Sequence, residues 1–240
     1  MSGFSWKIPK EYRFNPDKNY GSMTDSRNGK KYKTIAIGEQ VWMAENLNYN
    51  IISETPSLEN NSKCYDDDEI NTQHCEITGR LYTWAVAIDS AKMEKNNIIC
   101  GYGKSCNLPD KVQGICPDGW HLPSYTEWNT LTTFVVGDNY YYSSYIAEEL
   151  KSKTGWHSID GYCYGGCEIN GKDTYGFTAV PNGSDFWSST DSDDENSQSA
   201  YIFAIINIGY SYSSSNIIST SPKNDYHYIR CIQDKATTGN

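Results

Sequence analysis

Eight cysteines, at positions 64, 75, 100, 106, 116, 163, 167 and 231, constrain this chain more than any other feature. An even number with several close pairs describes a disulfide framework, which forms in an oxidising compartment. Free thiols or metal sites in a cytosolic protein are the alternative. Zinc sites repeat a C-x2-4-C unit, whereas Cys163-x3-Cys167 stands alone here. The four histidines, at 74, 121, 157 and 227, show no H-x3-5-H spacing. Short loops nominate Cys64–Cys75, Cys100–Cys106 and Cys163–Cys167 as local bridges. Cys116–Cys231 remains, closing a loop of roughly a hundred residues and disfavouring the unfolded chain by ~4–5 kcal/mol in the loop-entropy model.

The 240 residues can bury a full core, and 14% aromatic content belongs to a folded chain. Tyrosine is prominent, with 20 residues against 6 Phe. Its ring is apolar and its tip polar, so it suits the rim of a core or a binding surface. The formal charge of -10 repels nucleic acid and anionic membranes, and Lys30, Lys31 and Lys33 form the one short basic cluster. No run approaches the ~20 apolar residues of a membrane helix, so no membrane-spanning segment is expected. The opening residues lack the basic-then-apolar pattern of a signal peptide. With disulfides expected, the reading is an extracellular or cell-surface protein whose leader was removed before Met1.

Residues 1–22 mix polar, Pro and aromatic residues without period and read as an N-terminal arm. Asn28-Gly29 is a tight-turn dipeptide, and strands are expected over Lys33–Ile37 and Val41–Met43 around a second turn. Residues 50–78 read as loop. A helix is expected from Gly79 to Met93, with Leu81, Trp84, Ala85 and Ile88 facing the core. A second starts at Ser124 as N-cap, with Glu127 as its capping-box partner and Trp128, Leu131 and Val135 on one face. A third runs Ile146–Lys153 into Thr154-Gly155 as C-cap. β-like runs follow at Tyr175–Val180, Phe186–Ser189, Tyr201–Ile208 and Tyr226–Ile232. Helices early and strands late make this α+β, in one domain over 23–234 with a tail at 235–240.

Several motifs are recognisable in this order: Met23-Thr-Asp-Ser-Arg-Asn-Gly-Lys-Lys-Tyr, Val41-Trp-Met-Ala-Glu-Asn-Leu, Gly79-Arg-Leu-Tyr-Thr-Trp-Ala, Cys116-Pro-Asp-Gly-Trp-His-Leu-Pro-Ser with Glu127-Trp128, Tyr175-Gly-Phe, Trp187-Ser-Ser-Thr, and Arg230-Cys231. Together they resemble the Fibrobacter succinogenes major paralogous domain family over most of the chain. The later motifs also resemble the wider C-type-lectin-like group, which includes formylglycine-generating enzymes. The resemblance implies a secreted or surface bacterial protein with a loop-rich antiparallel sheet, two to three helices and adjacent termini. A Cys116–Cys231 bridge is compatible with that topology.

Formylglycine-generating enzymes use a late reactive cysteine pair, and this chain has Cys231 alone there, expected in a bridge. No enzyme activity is therefore carried over, and no catalytic residue is expected. His121 lacks a partner suggested by the sequence and reads as structural. Asp191, Asp193, Asp194 and Glu195 are the candidate calcium ligands, since hard cations take clustered oxygens, although an EF-hand spacing is absent. Tyr140, Tyr141, Tyr142, Tyr162, Tyr164, Tyr210 and Tyr212 lie in turn-rich sequence, where planar rings could stack on sugars. The function expected is a non-catalytic binding module for carbohydrate or another extracellular polymer. A protein-interaction or structural module of the cell envelope is the alternative, and an enzyme related to the formylglycine-generating type comes last.

Overall fold

Two tight turns start the fold. At the first, the Asp25 carbonyl accepts from the Gly29 N–H at 2.7 Å, and Gly29 takes φ 72°, a conformation open to glycine without strain. The turn joins strands β1 (Gly21–Thr24) and β2 (Lys31–Ile37) in antiparallel register, Met23 opposite Tyr32. Gly38 at φ 60° then reverses the chain into β3 (Gln40–Met43), with Ile37 opposite Gln40. The structure, a computed structural model, describes residues 10–50, 61–65, 73–137, 143–156, 170–192, 195–205 and 217–235.

The remaining elements are β4 (Ser62–Lys63), α1 (Gln73–Thr78), β5 (Leu81–Tyr82), α2 (Trp84–Ala87), α3 (Ser90–Lys95), β6 (Trp120–His121), α4 (Tyr125–Val136), α5 (Ser143–Leu150), β7 (Asp185–Asp191), β8 (Ser199–Ala204), β9 (Ile218–Pro222) and β10 (Ile232–Gln233). A 3-10 turn spans Lys10–Arg13. One sheet runs β1-β2-β3-β10-β6 and another β7-β8-β9, with β4-β5 a separate pair. All strand pairings are antiparallel. Ile232 of β10 faces Trp42 on one side and His121 on the other, so the C-terminal strand fills the sheet's interior. The result is α+β, as the order of patterns in the sequence implied.

Aromatic side chains join the two larger sheets. Trp42 of β3 lies 4.6 Å from Trp128 of α4, and Trp128 stacks on Phe203 of β8 at 4.5 Å and 7°. Such pairs add about 0.5–1.5 kcal/mol beyond the area they bury. Two further tryptophans are fixed by their indole N–H groups: Trp84 donates to the Ser188 carbonyl at 2.9 Å, and Trp187 to the Tyr82 carbonyl at 2.8 Å. These bonds account for the Trp residues of the Gly79–Ala85 and Trp187–Thr190 motifs.

Three of the expected disulfides are present: Cys64–Cys75, Cys100–Cys106 and Cys116–Cys231. Cys163–Cys167 lies outside the described residues.

The expected helix over Gly79–Met93 is instead β5, α2 and α3. Tyr82 exchanges backbone hydrogen bonds with His227 at 2.9 and 3.0 Å, which pulls residues 81–82 into extended form. Asp89 then takes φ 54° and caps α3 through its side chain. Ala85 is half-exposed, and Val86 and Ala87 face the core in its place. Helix α5 stops at Leu150 because the Ser152 N–H turns to the Ala179 carbonyl at 2.8 Å, so Gly155 is no C-cap.

Tyr175–Val180 is not a strand. The Asp173 carboxylate takes the Thr178 N–H at 2.7 Å and its hydroxyl at 2.8 Å, and this local turn displaces a ladder. Of Tyr226–Ile232 only Ile232 lies in a strand, and β9 lies where no β-like run was expected. The stretch read as loop over 50–78 holds β4 and α1, and Phe14 and Asn15 of the N-terminal segment are buried.

Candidate functional site

The capping box at the start of α4 begins the site. Ser124 accepts from the Glu127 N–H through Oγ at 3.3 Å, and Glu127 Oε2 accepts from the Ser124 N–H at 2.8 Å. The two groups thereby satisfy helix-end donors that otherwise lack partners. The end of β7 docks against this turn: Ser189 donates its N–H to the Pro123 carbonyl at 2.8 Å, and Tyr125 donates its N–H to Thr190 Oγ1 at 2.9 Å.

Across from these elements, the Cys100–Cys106 bridge fixes a loop that continues through Asn107 to Asp110. Between the two sides runs an open groove of about 510 Å³, walled by that loop, by Ser124 and Thr126, and by Ser189–Asp191. The volume is that of a small-ligand site, which runs from roughly 300 to 1,000 Å³. Its surface is mostly hydroxyl, amide and carboxylate, with Leu108 and Pro109 as apolar contributions. Tyr125, between two groove residues in sequence, is 40% exposed and packs its ring 4.8 Å from Tyr201.

Asp191 is the best anchored of the polar groups. Its Oδ2 accepts from Lys223 Nζ at 2.7 Å, and Lys223 is 0% exposed, donates also to the Ser197 carbonyl at 2.9 Å and lies over the Trp84 ring at 4.6 Å. The second oxygen, Oδ1, is buried and has no donor among the described residues.

Beneath Ser124, His121 occupies the middle of a polar chain. Its Nε2 meets Glu127 Oε1 at 2.8 Å and its Nδ1 meets Asp234 Oδ1 at 2.6 Å, while Asp234 Oδ2 accepts from Lys111 at 2.9 Å. Burial works against the charged imidazole, but the bonds and charges of Glu127 and Asp234 outweigh it and raise the pKa above 6.5. The sequence offered Glu127 only as the helix cap, and Asp234 had no local signal.

Of the candidate calcium ligands, Asp191 is committed to Lys223 and Glu195 is exposed, while Asp193 and Asp194 lie outside the described residues. Among the described residues no group of three or more His, Cys, Asp or Glu could hold a metal ion. Tyr140, Tyr141, Tyr142, Tyr162, Tyr164, Tyr210 and Tyr212 all lie outside the described residues. Sequence reasoning missed the groove itself. Ser124, Ser189 and Thr190 fall in motifs already singled out, whereas Asn107–Asp110 carried no signal of their own, and their convergence needed the fold.

A disulfide-tied α+β domain with an open polar groove is the class that fold and site define. The chain belongs to the Fibrobacter succinogenes major domain family, whose model matches residues 35–233. No curated protein and no solved structure matches it.

Proposed function

We propose that the protein is a non-catalytic, extracellular binding module that holds a saccharide chain in the groove between the Cys100–Cys106 loop and the start of α4. The observation that carries this reading is the groove's chemistry: hydroxyl, amide and carboxylate groups on a rigid frame. Sugars present hydroxyls that donate to and accept from such groups. The frame is rigid because a disulfide, a capped helix and a strand end build it, so little ordering cost attends binding.

Three disulfides support an oxidising compartment, and among the described residues no helix is long and apolar enough to cross a membrane. The placing of β10 between β3 and β6, closed by Cys116–Cys231, supports a C-type-lectin-like architecture. Both ring nitrogens of His121 are held by carboxylates, which favours a structural over a catalytic role.

The test is retention on insoluble cellulose, xylan and chitin, for the wild type and for Asn107→Ala, which removes a groove-lining amide. The wild type is retained on at least one polymer, and the variant, with its fold unchanged, binds about three- to tenfold more weakly. EDTA leaves retention unchanged, because Lys223 already compensates Asp191. No retention on any polymer contradicts the reading.

A further inference from the structure

We propose that His121 braces the two walls of the groove and that rising pH releases the brace: the doubly protonated ring holds both walls, and the neutral ring holds one. This names a regulation of the groove and rests on the reading above only for what the groove binds.

Two hydrogen-bonded paths leave the ring. From Nε2 the first runs to Glu127 Oε1 at 2.8 Å, and Glu127 Oε2 accepts from the Ser124 N–H at 2.8 Å and its hydroxyl at 2.9 Å. Ser124 stands in one wall, with Thr126 and Ser189–Asp191. From Nδ1 the second runs to Asp234 Oδ1 at 2.6 Å, and Asp234 Oδ2 accepts from Lys111 at 2.9 Å. Lys111 follows Asp110, which ends the facing wall.

Both partners are carboxylates, so each path needs an N–H from the ring. The imidazolium supplies two and the neutral ring one. Whichever nitrogen keeps its proton, one carboxylate is left facing a lone pair, and its wall loses that link. Nothing nearby replaces the link. Glu127 is the one charged residue of α4, and the neighbouring strand β10 carries none. Asp118 accepts from Gln113 at 3.0 Å, and Lys235 lies 3.9 Å from Glu39. Burial opposes the charged ring, but the bonds and charges of Glu127 and Asp234 outweigh it and carry the pKa above 6.5. The brace is therefore whole below 6.5 and fails as pH rises through the raised value. A groove braced on both sides meets a ligand at lower ordering cost, which favours occupancy in acid.

Amide solvent exchange, followed by NMR in the unliganded protein from about pH 5.5 to 9, tests this, with the ring's own signals giving the His121 midpoint. The amides to follow are Ser124 and Asp234, whose N–H donates to the Gly119 carbonyl at 2.9 Å. As the ring loses its proton, the protection of at least one of them falls about threefold or more, the size of one hydrogen bond. A through-space effect alone has the opposite sign. Losing a positive charge lowers the local concentration of hydroxide, which catalyses exchange, and so slows it. In His121→Asn the fall is absent. No fall in either amide while the wild-type ring titrates, or the same fall in His121→Asn, overturns the brace. The measurement uses no ligand, so its failure is distinct from failure of the saccharide reading.

Discussion

At the level of single side chains, His121 ties β6, α4 and the residue after β10 through two hydrogen bonds that a neutral imidazole cannot both donate. A neutral ring has one N–H, whereas the imidazolium has two, one for Glu127 and one for Asp234. Burial opposes the charged form of all three groups, and the bonds and charges they offer each other, with Lys111 on Asp234 and Ser124 on Glu127, outweigh it. The sign of the pH effect follows. The raised His121 pKa contributes stability fully present below 6.5 and lost as pH rises through the folded value. The lowered Glu127 and Asp234 values contribute stability present above 4.5 and 3.8, and lost as pH falls through theirs.

His121→Asn should therefore lose most stability relative to wild type between about pH 4.5 and 6.5, and progressively less on either side. Thermal melts of both proteins across pH check this, and a difference independent of pH would contradict it. Only the difference isolates the clamp, because half-buried His227, pushed down to about 4 by desolvation, loses stability as the same range is crossed downward. A second buried group, Arg230, shows what single residues conceal from sequence. Its guanidinium bonds the Asn46 side chain and the Phe177 carbonyl, and burial pushes its pKa down to about 9. The Arg-Cys pair was visible as a motif, but a partner 184 positions away was not.

Among the elements, those coded by adjacent residues were legible and those coded by distant ones were not. Asn28-Gly29 set its turn, and Ser124 with Glu127 set the start of α4, because each signal closes within a few residues. The stretch from Gly79 to Met93 has helical spacing but is pulled apart by His227, a partner far along the chain. Strand β9 was hidden for the converse reason: its serines carry little strand signal, and β8 supplies the pairing.

The disulfides were legible from spacing because short loops limit the choices. Cys116–Cys231 closes a separation of 115 residues and holds β10 in the sheet's interior. Replacing both cysteines by alanine should cost about 4–5 kcal/mol, against about 2 kcal/mol for the 6-residue Cys100–Cys106 loop. Denaturant unfolding of the two double variants measures this, and equal losses would contradict the assignment.

Across the whole molecule, one aromatic stack from Trp42 through Trp128 to Phe203 holds the two sheets together around α4. The same helix starts at the groove, so the packing that builds the core also positions one of the groove's walls. The proposed function class rests on composition, charge and resemblance, while the groove's position came only from the fold. The most direct test is an amide NMR titration of the full chain with soluble cello-, xylo- and chito-oligosaccharides. The account predicts that at least one oligosaccharide shifts amides at Asn107–Asp110, Ser124–Thr126 and Ser189–Asp191, and few elsewhere. Shifts confined to other surfaces, or none with any oligosaccharide, would contradict it.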